Sequence, residues 1–402
     1  MSVASPTVST STSDARTLWL LIAAIFVVSI DSRVITPVLP AIADDFDVAI
    51  SGAGLVVTAY LLPYGLFQLV YGPIADRVGQ VRVVSVALGA FALAAISCAF
   101  APSISALIGL RFITGIAAAA TFPLTLAYIG ETVDYVHRPN VIGYTVMASS
   151  VGQLMSAAAG GLLAAVISWR AIFFVDGFIA IAIALALLRV HARTVAVVRV
   201  RRRTIDAYRL VFSDRRHALF YVLIFVEGIF TIGAFSFFGA LLRDRDGYSY
   251  AVIGGIIALS GASSVVMGRM LGRIVRKLGE RWMIAIGGVG TSASFAFTTL
   301  QPAAIWFTLA MIAIGATFIM MHSTFQTRAT EIAPTARATG ISLFAFSLFL
   351  GSSVGATAVA FGIDAFGYNE TMLALATMTL VFTAIAANTI VPWSQPSLSP
   401  KD

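Results

Sequence analysis

The chain has 402 residues and a formal net charge of +7; 59% of its residues are hydrophobic and only 11% are charged. Because soluble domains carry about 25% charged residues, this composition excludes an ordinary soluble fold and indicates a membrane protein. The single cysteine, Cys98, excludes a disulfide framework and a cysteine-based metal site.

The chain starts with a polar tail, 1–16, that is rich in serine and threonine. A cleavable signal needs a charged start followed by a short apolar core. The tail does not have this pattern, so we expect it to stay attached.

Mainly apolar stretches recur after the tail, each long enough to cross a bilayer as a helix. The predicted spans are 17–40, 51–73, 82–100, 103–128, 140–166, 168–189, 217–241, 250–275, 281–300, 302–326, 336–362 and 370–392. We therefore predict an all-α polytopic membrane protein with twelve transmembrane helices. They form two six-helix bundles, 17–189 and 217–392, joined by a polar linker, 190–216, and followed by a tail, 393–402.

Most of the basic residues fall on the side of the spans that holds the N-terminus. The positive-inside rule assigns that side to the cytoplasm, so both termini are expected there. Arginine and alanine are abundant whereas lysine is rare, which is typical of a GC-rich bacterial genome. We expect a multi-pass monomer in the bacterial cytoplasmic membrane.

A charged residue inside a membrane normally faces a partner or a cavity because burial in hydrocarbon is costly. Asp31 in the first span and Arg111 in the fourth lie at similar depths, roughly 13 and 12 Å from the outer surface. A salt bridge between them is feasible if their helices are neighbours. Separating the pair would favour protonation of Asp31, which gives a means of proton coupling; the alternative is a static ion pair that fixes helix packing.

Arg33 lies two residues after Asp31, so the two side chains point in different directions on a helix. It could extend to the outer surface or pair with Asp44 or Asp45. Alternatively, Arg33 lines a cavity and binds an anionic group of a substrate.

Two spans carry polar residues at helical spacing. Tyr60, Tyr64 and Gln68 share one face of the second span, and Ser149, Gln153 and Ser156 share one face of the fifth. These stripes predict a substrate-binding surface. Small and polar residues also hold membrane helices together, so a packing role is the alternative.

A glycine-framed basic turn occurs twice, 200 residues apart, each time after an apolar stretch. The repeated positions are Gly72, Asp76, Arg77 and Gly79 in the first copy and Gly272, Arg276 and Gly279 in the second. A duplicated bundle explains the repeat, and many transporters are built from such repeats with a pore between them.

The linker contains an arginine run at 199–203. We expect it to form a surface helix on anionic lipid headgroups rather than a nucleic-acid site.

Glu227 lies roughly 15 Å into the seventh span, near mid-membrane, and Thr231 lies one turn further along the same face. A carboxyl in apolar surroundings can take up a proton or attract a cationic substrate; the alternative is a neutral acid bonded to another helix. His322 and Asp176 lie closer to span ends, where we expect them to extend towards the surface; the alternative is a role in transport, such as the relay of protons by the histidine.

No enzyme signature is found. The sequence has no phosphate-binding Walker motif, no serine nucleophile motif, and its four histidines do not have metal-ligand spacing. We expect no cofactor and no metal, and a proton gradient as the energy source.

The chain resembles the major facilitator superfamily over nearly its whole length. The resemblance rests on the turn with Asp76 and Arg77, on Arg111 with Gly115, and on three further segments, 169–173, 330–334 and 337–340. It implies two six-helix bundles and a cytoplasmic gate that includes both glycine-framed turns. The pattern from Asp31 to Pro40, and the outline of 152–161, resemble the drug/proton antiporters, although Ser156 and Ala157 replace the Gly-Pro pair of that motif.

These features predict a proton-coupled antiporter that exports small lipophilic compounds or drugs and thereby confers antibiotic resistance. The first alternative is a transporter of one metabolite, such as a sugar, an amino acid or an organic anion, which Arg33 and the altered Gly-Pro pair favour. A non-transporting membrane receptor or scaffold is the second, and a membrane-embedded enzyme ranks last.

Overall fold

The structure is a computed structural model that describes residues 12–134, 137–191, 214–300, 303–332 and 337–389. Most of the predicted linker, 192–213, and the predicted C-terminal tail, 393–402, lie outside the described residues. Every regular element in the described ranges is helical, as the sequence predicts.

Seven helices form the first half. They are α1 (Thr12–Phe46), α2 (Ile50–Val78), α3 (Gln80–Ala99), α4 (Ile104–Ala118), α5 (Thr121–Thr132), α6 (Arg138–Val166) and α7 (Arg170–His191). The second half contains α8 (Arg215–Glu227), a π-helix (Gly228–Gly233), α9 (Phe238–Asp244), α10 (Tyr250–Phe297), α11 (Ala303–Glu331), α12 (Arg337–Phe366) and α13 (Tyr368–Thr389).

Helices satisfy their own backbone polar groups, which is the requirement for crossing hydrocarbon. Side chains supply the missing partners at several helix starts. Ser103 accepts a hydrogen bond from the backbone N–H of Ala106 at the start of α4, and Asp214 accepts one from Arg216 at the start of α8. These caps account for where the helices begin.

Within the described residues, eleven helices are long and apolar enough to cross a membrane, against twelve predicted spans. The difference lies in 250–297, where the eighth and ninth predicted spans form one element, α10. Gly279 interrupts it with non-helical backbone (φ 76°, ψ 164°). The two predicted spans are therefore two arms that meet at a kink without an intervening loop.

The seventh predicted span is not one regular helix. It consists of α8, the π-helix and α9, and the irregular part begins directly after Glu227. Such π-helical turns occur often at functional sites. The fourth predicted span is likewise divided into α4 and α5.

The outside of the molecule is apolar. Large side chains with more than half of their surface exposed include Val86, Leu93, Leu162, Phe178 and Phe361. Apolar exposure on this scale is unfavourable in water and favourable in lipid.

The two halves pack against each other mainly through α2 with α12, α6 with α10, and α1 with α9. The contact is tightest at one end of the molecule, which we call the contact end. There, a side chain on Gly161 of α6 would overlap the carbonyl oxygen of Tyr250, and one on Gly254 would overlap that of Ala157. The hydroxyl of Tyr250 also donates to Asp44 Oδ2 over 3.4 Å.

The opposite end, which we call the turn end, holds the two repeated turns. Gly79 (φ 94°) and Gly279 (φ 76°) both adopt positive φ, which strongly favours glycine. The residue after each glycine contacts a later helix of the same half: Gln80 donates to Glu131 over 2.9 Å, and Arg328 donates to Glu280. The repeat seen in the sequence is thus also a repeat of backbone and contacts.

Candidate functional site

A cavity of about 340 Å³ lies between the two halves. Its wall is mainly apolar, with a few polar side chains from each half. Arg33, Ala157 and Ile257 line its deep part, and exposed Val146 and Gln326 line the part nearer the turn end. Since the halves meet closely at the contact end, the cavity is open towards the turn end.

Asp31 and Arg111 are in direct contact, which their similar depths make feasible. Arg111 Nη1 donates to both carboxylate oxygens of Asp31 over 2.7 Å, and both side chains are essentially fully buried. The guanidinium also lies 4.2 Å from the ring centre of Tyr60 and 5.6 Å from that of Phe173. The pair lies in the interior of the first half, beside the cavity wall rather than in it.

Asp176 of α7 is also buried, with only 3% of its surface exposed. Neither of its carboxylate oxygens has a hydrogen-bond partner among the described residues, and it interacts electrostatically with Asp31 and Arg111. The expectation that Asp176 extends to the surface is therefore wrong. A buried carboxylate without hydrogen-bond partners is costly as an anion, so Asp176 joins the groups that could hold a proton.

Glu227 is fully buried in the second half and is bonded to another helix. Its Oε1 lies 3.0 Å from Nδ1 of His322 on α11, and its Oε2 has no partner among the described residues. His322 lines the cavity and stacks on Phe318, with ring centres 5.0 Å apart. The expectation that His322 extends to the surface is wrong, because it turns inwards to Glu227.

Thr231, one turn after Glu227, donates its hydroxyl to the backbone carbonyl of Glu227 over 2.6 Å and lines the cavity. In the second half, His322 therefore connects the cavity to the buried carboxyl of Glu227.

Arg33 lines the cavity, which is one of the alternatives that its position allows. Its Nε donates to Oε1 of Gln153 over 3.4 Å, and its guanidinium lies 5.2 Å from the ring centre of Phe235. It is not paired with Asp44 or Asp45; Asp45 instead binds Arg170 over 2.7 Å.

The two polar stripes divide between binding and packing positions. Tyr64, Gln68, Ser149 and Gln153 line the cavity. Tyr60 does not: its ring lies against Arg111 and stacks on Tyr64 at 5.8 Å. Ser156 donates to the carbonyl of Ile30 over 2.6 Å, so it joins two helices and lies away from the cavity.

The predicted gate residues lie at the turn end. Arg77, Gly272, Arg276 and Gly279 are exposed, whereas Gly72 and Gly79 are partly exposed. In the part of the chain that the structure describes, neither Arg77 nor Arg276 forms an ion pair. The side chain of Asp76 lies outside the described residues.

Two helical halves around a central cavity, with charges buried next to it, define a membrane transporter of the repeat-built class. The family model of the Major Facilitator Superfamily matches residues 21–356. The chain belongs to this superfamily, which confirms the resemblance seen in the sequence.

Known proteins are similar to this chain in sequence and in structure. The chain is 28% identical over 355 residues to the uncharacterized transporter YceJ of Bacillus subtilis, with 86% of this chain and 88% of YceJ covered. It is 29% identical over 229 residues to multidrug resistance protein D of Escherichia coli, covering 55% of this chain and 56% of that protein. The crystal structure of the nucleoside transporter NupG superposes with a TM-score of 0.76 at 14% identity, over 96% of this chain and 100% of that one. At this low identity, the similarity to NupG shows a shared fold only.

Proposed function

We propose that this protein is a proton-coupled secondary transporter that exports small, largely apolar molecules by alternating access. One observation carries the proposal: each half holds a buried acid with a basic partner next to the cavity between the halves. In the first half the pair is Asp31 and Arg111, and in the second it is Glu227 and His322. Ionisable groups buried in a membrane protein are costly and are kept mainly for function.

The transport cycle follows from the two ends of the molecule. With the N-terminus in the cytoplasm, as the basic residues predict, the turn end is cytoplasmic and the cavity is open to the cytoplasm. A molecule enters there and the halves then rock about the cavity. The turns around Gly79 and Gly279 would close the cytoplasmic side while the contact around Gly161 and Tyr250 opens.

Protons drive the cycle by competing with the ion pairs. When the outer side opens, a proton that binds Asp31 removes the negative charge that holds Arg111 and weakens the pair. His322 lies on the cavity wall and touches Glu227, so it can pass a proton between the cavity and the buried acid, a common role of histidine. Release of both protons to the cytoplasm resets the pairs.

The cavity suits a small organic molecule. Ligand cavities are typically about 300–1,000 Å³ and mainly apolar, with a few well-placed polar groups, and this cavity of about 340 Å³ falls at the small end of that range. Similarity to multidrug resistance protein D supports the export of drug-like compounds from a bacterial cytoplasmic membrane.

A transporter of one metabolite is the second candidate, and Arg33 on the cavity wall is the observation that favours it. A fixed charge selects for a complementary group and so narrows the range of substrates. A panel of unrelated compounds separates the two: a multidrug exporter moves several of them, and a metabolite transporter moves one chemical series.

The proposal is tested with purified protein in liposomes that contain a pH-sensitive dye. An imposed proton gradient should drive substrate flux, and substrate added without a gradient should move protons. Asp31→Asn and Glu227→Gln should each abolish the gradient-driven flux, whereas Asp45→Asn, which breaks an exposed ion pair, should not. Substrate flux that does not depend on the proton gradient would contradict proton coupling. The absence of any substrate flux would favour a receptor or scaffold.

A further inference from the structure

The charged side chains on the cavity wall are all of one sign, which is positive. Among the described residues that line the cavity, Arg33 carries a permanent positive charge, His322 can carry one, and none is an aspartate or a glutamate. Glu227 lies behind His322 rather than in the wall. A molecule in the cavity therefore meets a positive wall in the first half and no fixed negative charge.

Arg33 is held in place without a counter-ion. Its one described hydrogen bond, from Nε to Gln153, involves a neutral amide. Gln153 in turn donates to Ser149 over 3.3 Å, and Ser149 accepts a hydrogen bond from Ser29 over 2.9 Å. The ring of Phe235 covers one side of the guanidinium at 5.2 Å. A row of neutral groups thus orients the charge, and its two terminal nitrogens have no described partner.

Arg111, the fully buried arginine of the first half, shows the contrast with Arg33, which is partly exposed. Arg111 has its counter-charge in Asp31, whereas Arg33 is only two residues along the chain from the same aspartate and has none. Arg33 is only partly exposed on the cavity wall, and a charge that loses part of its hydration gains from a partner of opposite sign. Where the protein does not supply it, the ligand can.

We propose that the substrate is an amphipathic organic anion whose carboxylate binds Arg33 and whose apolar body lies against the cavity phenylalanines. This inference rests on the proposed function, because it names the substrate class of the same cavity. The planar guanidinium matches a carboxylate through two parallel hydrogen bonds. The second half supplies the apolar surface through Phe235, Phe318, Phe344 and Phe349.

The positive charge of Arg33 decides between anionic and cationic substrates. A cationic drug would sit beside Arg33 with no carboxylate in the described wall to offset the repulsion, so cations are disfavoured. The sequence alone leaves both signs open, because Glu227 could attract a cation; the structure places His322 between Glu227 and the cavity.

The test uses three probes on one scaffold: 2-naphthoate, neutral 2-naphthamide and the cation 2-naphthylmethylammonium. Binding to the full-length protein in lipid nanodiscs is measured by calorimetry at constant pH. Because a hydrogen bond to a charged group contributes about 1.5–3 kcal/mol, naphthoate should bind roughly 10- to 100-fold more tightly than naphthamide, and the ammonium probe should bind most weakly.

Variants of Arg33 show whether the preference comes from this side chain. R33Q should remove the preference for naphthoate over naphthamide, and R33K should retain part of it, because the charge remains while the two-point geometry is lost. R170Q removes an arginine that lies outside the cavity and should leave the preference unchanged. Elution as a single species and an unchanged melting temperature identify variants that are folded.

The outcomes separate this inference from the proposed function. Equal or tighter binding of the ammonium probe, absence of naphthoate binding, or an unchanged preference in folded R33Q would overturn the inference, even if a proton gradient drives flux of another compound. Naphthoate binding that depends on Arg33, without gradient-driven flux, would uphold the anion site and refute proton-coupled transport.

Discussion

Arg111 Nη1 lies 2.7 Å from both carboxylate oxygens of Asp31, although 80 residues separate the two in the chain. The contact ties α4 to α1 in the interior of the first half, where neither side chain reaches solvent. In such a position the attraction between the two charges offsets much of the cost of burying them, so the loss of either one leaves the other uncompensated.

The first prediction concerns the stability of this pair. Asp31→Asn and Arg111→Gln should each destabilise the protein by about 3–5 kcal/mol, because each leaves a buried charge without its partner. The double variant should lose much less than the sum of the two, which unfolding in a mild detergent with added denaturant can measure.

The exposed pair of Asp45 and Arg170 is the matched control. Breaking it should change stability by less than about 1 kcal/mol. If the effects of Asp31→Asn and Arg111→Gln were additive, the two side chains would not act as a pair.

The second prediction concerns Glu227. Glu227→Gln keeps the size of the side chain and its bond to His322 but removes the exchangeable proton of the acid. Exchange of labelled for unlabelled substrate across the membrane should continue, because it needs no net proton movement, whereas uphill export driven by a proton gradient should fall to background.

Glu370→Gln is the control for this experiment, because Glu370 is an exposed acid at the start of α13 in the same half. It should leave both modes of transport intact. Uphill export that survives in Glu227→Gln would assign proton coupling to the first half alone.

The sequence predicts the architecture well, and the reason is physical. Apolar length is set by the thickness of the bilayer and can be read locally, so the helical spans follow from it, apart from the eighth and ninth, which form one kinked element. The contact of Asp31 with Arg111 is feasible from the sequence, because depth along a helix is counted in residues, but it also requires that their two helices are neighbours.

The sequence does not predict what depends on the rotation and packing of helices. His322 and Glu227 lie on α11 and α8, 95 residues apart, and their contact depends on how these helices face each other. The same dependence on helix rotation applies to the burial of Asp176 and to the position of Arg33 on the cavity wall. A local pattern cannot distinguish a side chain that extends to the surface from one that turns inwards.

The third prediction concerns the repeated turns. Gly79 has φ 94° and ψ 141°, and Gly279 has φ 76° and ψ 164°, a region that only glycine occupies easily. Gly79→Ala and Gly279→Ala should each destabilise the protein by about 1–3 kcal/mol, measured as a lower midpoint of unfolding.

The same turns contain their own controls. Gly72 lies in the helical part of the first turn, and an added methyl group there would touch nothing among the described residues. Gly72→Ala should be neutral or stabilise the protein by up to about 1 kcal/mol, because alanine favours a helix. Equal effects at Gly72 and Gly79 would mean that backbone conformation is not what the turn requires.

The fourth prediction concerns the contact end, where α6 and α10 meet at Gly161 and Gly254. A leucine at Gly161 would overlap the carbonyl oxygen of Tyr250 in the state with the cavity open to the turn end. Overpacking of this kind costs about 1–3 kcal/mol, which shifts the balance between the two states by roughly 5- to 100-fold towards separation at the contact end.

Spin labels report that shift. Ala49→Cys and Glu370→Cys place labels on exposed positions of the two halves at the contact end, while the single native cysteine, Cys98, is buried. Gly161→Leu should lengthen the distance between the labels and slow transport. Gly89→Leu, at a glycine with open space around it, should do neither. An unchanged distance in Gly161→Leu would show that this glycine contact does not hold the halves together, and the closure of the contact end would then have to rest on other groups, such as the hydrogen bond between Tyr250 and Asp44.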